Sequence, residues 1–575
     1  MKLSENQYKH IMRLKKSAIG LSLFLFIMLW ITDLTFGQGR NQEVTIIAPY
    51  QPSISDVTKI PFKPEFKDTL VKAPEMSYSI NSQRIPTLFE VQPLKPAFIQ
   101  IDPEKLLHRN YLKAGFGNYK MPYAEFYSNS LYSNKYSLGF YVRHLSSQGG
   151  IKDYPTSAFS KNNISVYGKR YLTDKVVSGN LLYDRDVVHY YGVKQNADNV
   201  TLTDNDLIQR FSLFGADVSL ASNSRSKNNY LIALNFWGLN DIFKTKESQI
   251  GLKGAYSSGN KIINVAKEEN LGANLHFDLY ANNDSLNHLV TVKTALNPYF
   301  RLNFDYLDLT LGFETVLAAD TNSKTYIYPQ AKLFFKIIPD YLRLYLSVTG
   351  GLQRNTLKST SRENPWINTL FSFNFTNTKY NFKGGVTGKI NQLIDFNFSA
   401  SYADIDNMLF FVNDNISPFN PNIKENFGNK FISVYDDVKV TTINFEGNYD
   451  APNRLKTTLV ATYRDFKLNN LDRPWHKPAI ETSIISRYFL KPEIALTGEL
   501  FYVGKSYARL QDADQNITEK KINGYVDLNF GAEYFFNDKI SAFAQVSNVT
   551  GIRYYRWYQY PSQRINVMAG AVFAF

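Results

Sequence analysis

His144 and Ser146 are the two residues of this chain whose types and spacing could perform chemistry. They lie in the segment 143–149, which reads Arg-His-Leu-Ser-Ser-Gln-Gly and follows the alternating apolar stretch 138–142. Residues two positions apart share one face of a β-strand, so the imidazole and the hydroxyl would be neighbours. A histidine beside a serine can act as the general base that activates a nucleophilic hydroxyl.

This arrangement resembles the His-x-Ser motif of outer-membrane phospholipases and deacylases. Continued alternation would point both side chains to lipid near the outer end of a strand, as lipid hydrolysis requires. A catalytic triad also needs a third group that orients the histidine, and a site for the oxyanion. Asn162 and Asn163 lie near the start of the next predicted strand, but the sequence does not identify which residue faces His144. We therefore interpret His144 and Ser146 as a polar pair at the headgroup level and expect no enzymatic activity, with a lipid hydrolase as the alternative.

The rest of the sequence offers little metal or cofactor chemistry. Seven histidines are scattered along the chain, and no His-Glu-x-x-His motif, EF-hand loop or phosphate-binding glycine loop occurs. Cysteine is absent, which excludes disulfides, thiolate zinc ligands and cysteine nucleophiles. His276 shares a predicted strand face with Asn274 and Asp278, which indicates a solvated polar wall. We expect neither a metal nor a cofactor.

The strands that would position these residues alternate apolar and polar side chains along most of the chain. In the last of them, 564–575, every odd-numbered residue is apolar and the chain closes on Phe573 and Phe575. Such a strand is typical of a transmembrane β-barrel, in which one face meets lipid and the other a polar lumen. We predict that Phe573 and Phe575 form the barrel-insertion signal, which the barrel-assembly machinery reads during insertion.

Two kinds of connection alternate between the predicted strands, as they do between the two sides of a bacterial barrel. Counting back from the C-terminus gives an all-β fold, a transmembrane antiparallel β-barrel of about 22 strands (range 16–22) over residues 109–575. Tight turns are predicted at 133–135, 173–175, 305–306, 339–340, 391–392, 451–453, 491–492 and 537–538, and longer loops near 146–160, 190–206, 355–377, 412–436, 506–520 and 551–562.

The N-terminal region carries the features of an export signal. Basic residues at 13, 15 and 16 precede an apolar run, 17–31, and small residues follow it near Gly37. The run is short for a membrane-spanning helix but suits a secretory signal. We predict that residues 1–37 are a signal peptide and that the protein is exported to the outer membrane of a Gram-negative bacterium; a permanent N-terminal anchor is the alternative.

Residues 38–108 differ in composition from everything that follows. The stretch 41–108 holds nine of the 22 prolines and no glycine. Because proline fixes φ and removes a hydrogen-bond donor, such a tract does not easily form a helix or a multi-stranded sheet. We expect an extended periplasmic or lumenal segment rather than an independent domain.

The second half of the chain resembles TonB-dependent outer-membrane receptors. The tyrosine-rich stretch 547–561 before the last strand, and Asn364-Pro365-Trp366 followed by 378–385, are similar to motifs of that family. The resemblance implies a 22-stranded barrel. Receptors of that family also carry a globular plug of well over a hundred residues, whereas only the 68 residues 41–108 stand in its place here. A short segment resembles the box that pairs with TonB by strand addition: Glu43, Val44, Thr45, Ile46, Ile47 and Ala48.

We therefore expect a transport or receptor role, with the lumen occluded by the N-terminal segment or by loops. A structural subunit of an outer-membrane assembly or secretion complex is the alternative. Expected partners are outer-membrane lipid, the barrel-assembly machinery, TonB, and periplasmic or outer-membrane proteins that contact residues 41–108. The net charge of +13 is spread along the chain without a basic cluster, so nucleic acid is not an expected partner.

Overall fold

The described strands build one closed barrel. The structure, a computed structural model, describes residues 108–131, 133–193, 204–223, 227–284, 288–320, 322–369, 374–414, 428–511 and 517–575. In these ranges it has 26 strands and two short helices. The strands are β1 (Asn110–Gly117), β2 (Met121–Asn129), β3 (Tyr136–Ser147), β4 (Phe159–Tyr171), β5 (Lys175–His189), β6 (Ile208–Ser222), β7 (Asn228–Asn240), β8 (Lys246–Ser258), β9 (Glu268–Asn283), β10 (His288–Asn303), β11 (Leu307–Ala319), β12 (Ser323–Ile338), β13 (Leu342–Arg354), β14 (Phe375–Lys389), β15 (Ile394–Asp414), β16 (Lys430–Ala451), β17 (Leu455–Leu468), β18 (Ile480–Lys491), β19 (Ile494–Val503), β20 (Ser506–Gln511), β21 (Ile517–Ile522), β22 (Tyr525–Phe535), β23 (Ile540–Ser547), β24 (Tyr555–Trp557), β25 (Tyr560–Pro561) and β26 (Asn566–Ala574); the helices are α1 (Asp204–Leu207) and α2 (Leu357–Glu363).

Twenty-two of these strands form the barrel wall, each paired antiparallel with its neighbours. The wall closes because β1 pairs both with β2 and with the last strand, β26. The other four strands form two hairpins, β20 with β21 and β24 with β25, in connections between wall strands. None of the helices in the described residues is long and apolar enough to cross a membrane. The predicted antiparallel barrel of about 22 strands is confirmed.

Glycine permits the close approach of the first and last strands. Gly115 of β1 stands opposite Gly570 of β26. A Cβ atom added to Gly570 would lie 2.0 Å from the carbonyl oxygen of Ala114, well inside any real contact. The barrel can therefore close with its full ladder of hydrogen bonds at this point only because neither residue carries a side chain.

The two faces of the wall differ in polarity, as the alternation in sequence predicts. In β3 and β4 the outward side chains Leu138, Phe140, Ile164 and Val166 are exposed. The inward face between them carries polar and charged groups such as Arg143, whose guanidinium lies over the Tyr123 ring. Because every backbone group of a closed barrel is paired, such a wall can stand in hydrocarbon with only apolar side chains facing lipid.

The longest connections between wall strands all lie at one end of the barrel. Both ends of the barrel chain, at β1 and β26, share one end with the short turns, among them the tight turns predicted from the sequence. The other end carries the long connections, including 190–207, 355–374, 469–479 and 548–565. Since bacterial barrels have short periplasmic turns and longer extracellular loops, the second end is the extracellular mouth.

Opposite faces of β7 should respond differently to the same new charge. Leu234 points to lipid and is 55% exposed, whereas Asn235 points to the lumen opposite Asp217. We expect Leu234→Arg to destabilise the folded barrel by about 2–4 kcal/mol, because it places a cation near the middle of the apolar band. Asn235→Arg gains an acidic neighbour and should fold normally. Unfolding by denaturant in lipid vesicles measures both variants, and equal losses would show that the assignment of faces is wrong.

Candidate functional sites

Aromatic residues from four connections and from the outer ends of β15 and β16 meet at the extracellular mouth. We call them the mouth cluster: Tyr190, Tyr191, Trp366, Phe411, Phe431, His476, Trp557 and Tyr560. The Trp366 and Tyr560 rings stack with centroids 4.0 Å apart, and Tyr191 meets Tyr560 edge-on at 5.0 Å. Burial of so many large rings removes much apolar surface from water, which is the main force that holds these connections together.

Hydrogen bonds connect the same segments across the mouth. The Tyr190 hydroxyl donates to the Ile367 carbonyl at 3.0 Å, and the Asn429 amide donates to the Tyr190 carbonyl at 2.7 Å. The Tyr560 hydroxyl in turn donates to the Asn429 carbonyl. Because β5 and β13 stand eight strands apart around the wall, the connections that follow them meet across the lumen rather than along one side.

Helix α2 forms part of this assembly and rests on the inner wall. A capping box begins it: the Thr356 hydroxyl accepts from the Ser359 amide, and the Ser359 hydroxyl accepts from the Thr356 amide, both at 3.0 Å. Arg362 then pairs with Asp184 of β5 at 3.1 Å, and the Lys358 backbone amide donates to Glu247 of β8. The connection after β13 is therefore fixed to the wall at two separate strands.

His476 contributes a buried imidazole to the mouth cluster. Its Nδ1–H donates to the Phe411 carbonyl at 3.0 Å, and its Nε2 accepts from the Tyr558 amide at 3.4 Å. Acceptance at Nε2 requires the neutral imidazole, protonated only at Nδ1. Burial lowers the pKa of His476 to about 4, because a charged ring would lose its hydration.

A cavity of about 650 Å³ lies beside the mouth cluster, against the inner wall of β3–β5 and β22–β26. Its lining includes Tyr191, Trp366 and Tyr554, so aromatic rings form part of its surface. It also combines three cations with two acids. These charged residues are Lys161, Arg362, Arg564, Asp186 and Asp527.

A second group of polar side chains lies on the opposite, lipid-facing side of the wall. We call it the lipid-face polar cluster: His144, Ser146, Ser160, Asn162 and Arg185. His144 stands opposite Asn162, and Asn162 stands opposite Arg185 in the next strand. His144 Nε2 lies 3.0 Å from Ser146 Oγ, and His144 Nδ1 lies 2.7 Å from Asn162 Oδ1. The sequence named His144 and Ser146; the strand register adds Asn162.

Solved structures with the same architecture are outer-membrane receptors and transporters. The pyoverdine receptor FpvA of Pseudomonas aeruginosa PAO1 matches with a TM-score of 0.61 and 13% identity, over 82% of this chain and 79% of that one. The FrpB iron transporter of Neisseria meningitidis matches with a TM-score of 0.63 and 11% identity, over 82% of both chains. The ferric-catecholate import receptor Fiu of E. coli K12 matches with a TM-score of 0.60 and 10% identity, over 81% and 82%. The fold is that of an outer-membrane receptor barrel.

This likeness confirms the expected location in the Gram-negative outer membrane, where barrels of this size occur. At the level of sequence, no family model and no curated protein matches the chain. The resemblance to TonB-dependent receptors noted in the sequence therefore corresponds to a shared barrel, at identities that carry the fold and not the ligand.

The remaining predicted residues fall in two classes. His276 faces the lumen on β9, opposite Lys253 of β8, as part of the expected polar wall. No group of His, Asp or Glu side chains suited to a metal ion occurs in the ranges that the structure describes. The signal peptide and the TonB-box-like segment 43–48 lie outside the described residues.

Proposed function

We propose that this protein is an outer-membrane receptor that takes a small, anionic, aromatic ligand into the cavity beside the mouth cluster and passes it through the lumen. The cavity carries this proposal, because it combines a concave site of ligand size with aromatic walls and converging charges. Solved barrels of the same fold include receptors for pyoverdine and for ferric catecholates.

Lys161 and Arg564 supply the positive charge that would bind a negatively charged ligand, since Arg362 is already paired with Asp184 at 3.1 Å. Two acids, Asp186 and Asp527, also line the cavity. Trp366 and Tyr554 offer flat faces on which an aromatic ring can stack. A ferric chelate built on aromatic oxygen donors has both properties, with the iron as cargo rather than as a resident cofactor.

We further propose that two parts of the chain share the closure of the lumen. The mouth cluster ties connections from distant wall strands across the extracellular end. Residues 38–108 would close the lumen from the periplasmic side, since a barrel of 22 strands encloses more space than its own side chains fill. Opening then requires energy from outside, which TonB would supply through strand addition to residues 43–48.

Binding of a ferric tris-catecholate complex to the purified full chain tests the receptor function. We expect saturable quenching of tryptophan fluorescence, because Trp366 lines the cavity. Lys161→Gln removes one cation from the site and should weaken binding by about tenfold, the effect of roughly 1.4 kcal/mol. Lys169→Gln is the matched control, since Lys169 lies on the same face of β4, away from the mouth; it should bind like the wild type.

Absence of saturable binding by the wild type would contradict the receptor function. The assembly-subunit alternative has its own signature in the proline-rich segment. Removal of residues 41–108 could abolish co-purification of envelope proteins and leave the permeability of the outer membrane unchanged. In that case the segment binds partner proteins, and the protein is a structural subunit of an assembly.

A further inference from the structure

The lipid-face polar cluster has the hydrogen-bond pattern of a serine-hydrolase triad. Ser146 Oγ lies 3.0 Å from His144 Nε2, and His144 Nδ1 lies 2.7 Å from Asn162 Oδ1. A nucleophile bonded to a base, which is bonded to an orienting group, is the arrangement that activates a serine hydroxyl. An asparagine fills the third position in cysteine proteases of the papain type, so an amide oxygen is adequate there.

The contacts of Asn162 fix the proton positions in this group. Its Nδ2 donates to the Arg185 carbonyl at 3.3 Å and to Ser160 Oγ at 3.0 Å. Because a carbonyl can only accept, the amide nitrogen must face Arg185 and the amide oxygen must face His144. His144 Nδ1 then carries the proton, and Nε2 is free to accept from the Ser146 hydroxyl.

The cluster also stands at the depth where lipid esters lie. Below it on the same face, Phe140, Ile164 and Tyr183 are exposed to the hydrocarbon. At His144 and Asn162 the face becomes polar, near the extracellular ends of β3 and β4. The ester carbonyls of membrane lipids occupy this boundary between acyl chains and headgroups. A lipid lying against the wall would therefore bring its ester to Ser146.

We propose that this site hydrolyses acyl esters of outer-leaflet lipids, an activity separate from ligand uptake through the lumen. Ser146 Oγ attacks the ester carbonyl carbon while His144 Nε2 takes the hydroxyl proton. The bond to the alcohol breaks, His144 returns the proton to the leaving oxygen, and an acyl-serine remains. Water, activated by the same imidazole, then attacks the acyl-serine and releases the free fatty acid and the serine.

Asn162 and Arg185 have distinct supporting roles in this scheme. Asn162 is a positioning residue, which holds the ring orientation and tautomer of His144. Arg185 shares the face directly opposite Asn162. Its cationic side chain attracts anionic headgroups to the site and offers positive charge to the oxyanion that forms during attack.

The test uses the purified full chain in vesicles of phosphatidylethanolamine and phosphatidylglycerol, and in a second set that contains lipid A. We expect fatty acid release in at least one set, and the set that responds identifies the lipid. Ser146→Ala should reduce release to background. Ser165→Ala is the matched control, because Ser165 lies on the lumen face of β4 and bonds to Asn180; it should retain full activity.

A covalent probe separates catalysis from a structural role. An alkyl fluorophosphonate should label Ser146 of the wild type, as found by mass spectrometry, since only an activated serine reacts readily. Asn162→Ala should lower kcat by about 10²–10⁴-fold, and Asn162→Asp should restore it by supplying an equivalent acceptor. If a heat-modifiable wild-type barrel neither releases fatty acid from either vesicle nor takes the label on Ser146, the proposal is wrong. Undiminished release by Ser146→Ala would also overturn it.

Discussion

Phe573→Asp should lower the amount of folded protein in the outer membrane by about tenfold, which corresponds to roughly 1.4 kcal/mol. Phe573 lies on the lipid face of β26, where it stands opposite Leu112 on one side and Ile540 on the other. A carboxylate there places charge in the apolar band and disturbs the strand that closes the barrel. It also alters the C-terminal aromatic pattern that we expect the assembly machinery to read.

Ala574→Asp is the control for this prediction, because it adds the same carboxylate one residue further along the same strand. Ala574 faces the lumen opposite Tyr111, so the barrel should tolerate the change. Heat-modifiable migration of outer-membrane fractions on gels measures folded barrel in both variants. Normal levels of the Phe573→Asp protein would contradict both the closing role of β26 and the insertion signal.

Acid should open the mouth of the barrel. His476 is buried and neutral, with a pKa of about 4 in the folded state against about 6.5 when exposed. Because the pKa of His476 is lower in the folded state, the neutral ring stabilises that state fully above pH 6.5. This stabilisation is lost as the pH falls towards 4. The difference amounts to about 3 kcal/mol in the stability of the mouth cluster. Protonation would also remove the acceptor for the Tyr558 amide.

Limited proteolysis across pH 7.5 to 4 measures this opening. We expect the connection 469–479 to become sensitive to an acid-tolerant protease below pH 6.5 while the wall stays folded. His476→Gln keeps a donor for the Phe411 carbonyl and has no titratable group, so its protection should no longer depend on pH in this window. The same acid sensitivity in the variant would assign the effect to another group.

The strands of the barrel wall were easier to predict from the sequence than the residues that form the two candidate sites. Alternation along a strand is a local property, so the lipid face of 564–575 and the turn positions could be inferred from neighbouring residues alone. Pairing between strands is set by register, which no single strand carries. For that reason the sequence identified His144 and Ser146 but not Asn162 as the partner of His144.

The contacts within the mouth cluster could not be predicted from the sequence. Tyr191 donates to the Pro561 carbonyl across 370 residues of chain, and Trp366 stacks on Tyr560 between two different connections. The Trp and Tyr residues of 551–562, and Trp366 in 355–377, were a signal that these loops bury surface. Nothing in either loop indicates that the other is its partner, because the contact depends on how both fold across the lumen.

Single-channel conductance of the purified full chain in planar bilayers tests the central claim, a receptor barrel with a closed lumen, most directly. At pH 7.5 the full chain should show no persistent open channel if, as we propose, the mouth cluster and residues 38–108 close the two ends. The chain without residues 41–108 should insert normally and open whenever the mouth cluster parts, so its openings should be larger and more frequent than those of the full chain. A steady open channel of the full chain, unchanged by that deletion, would contradict the account and identify the protein as an open pore.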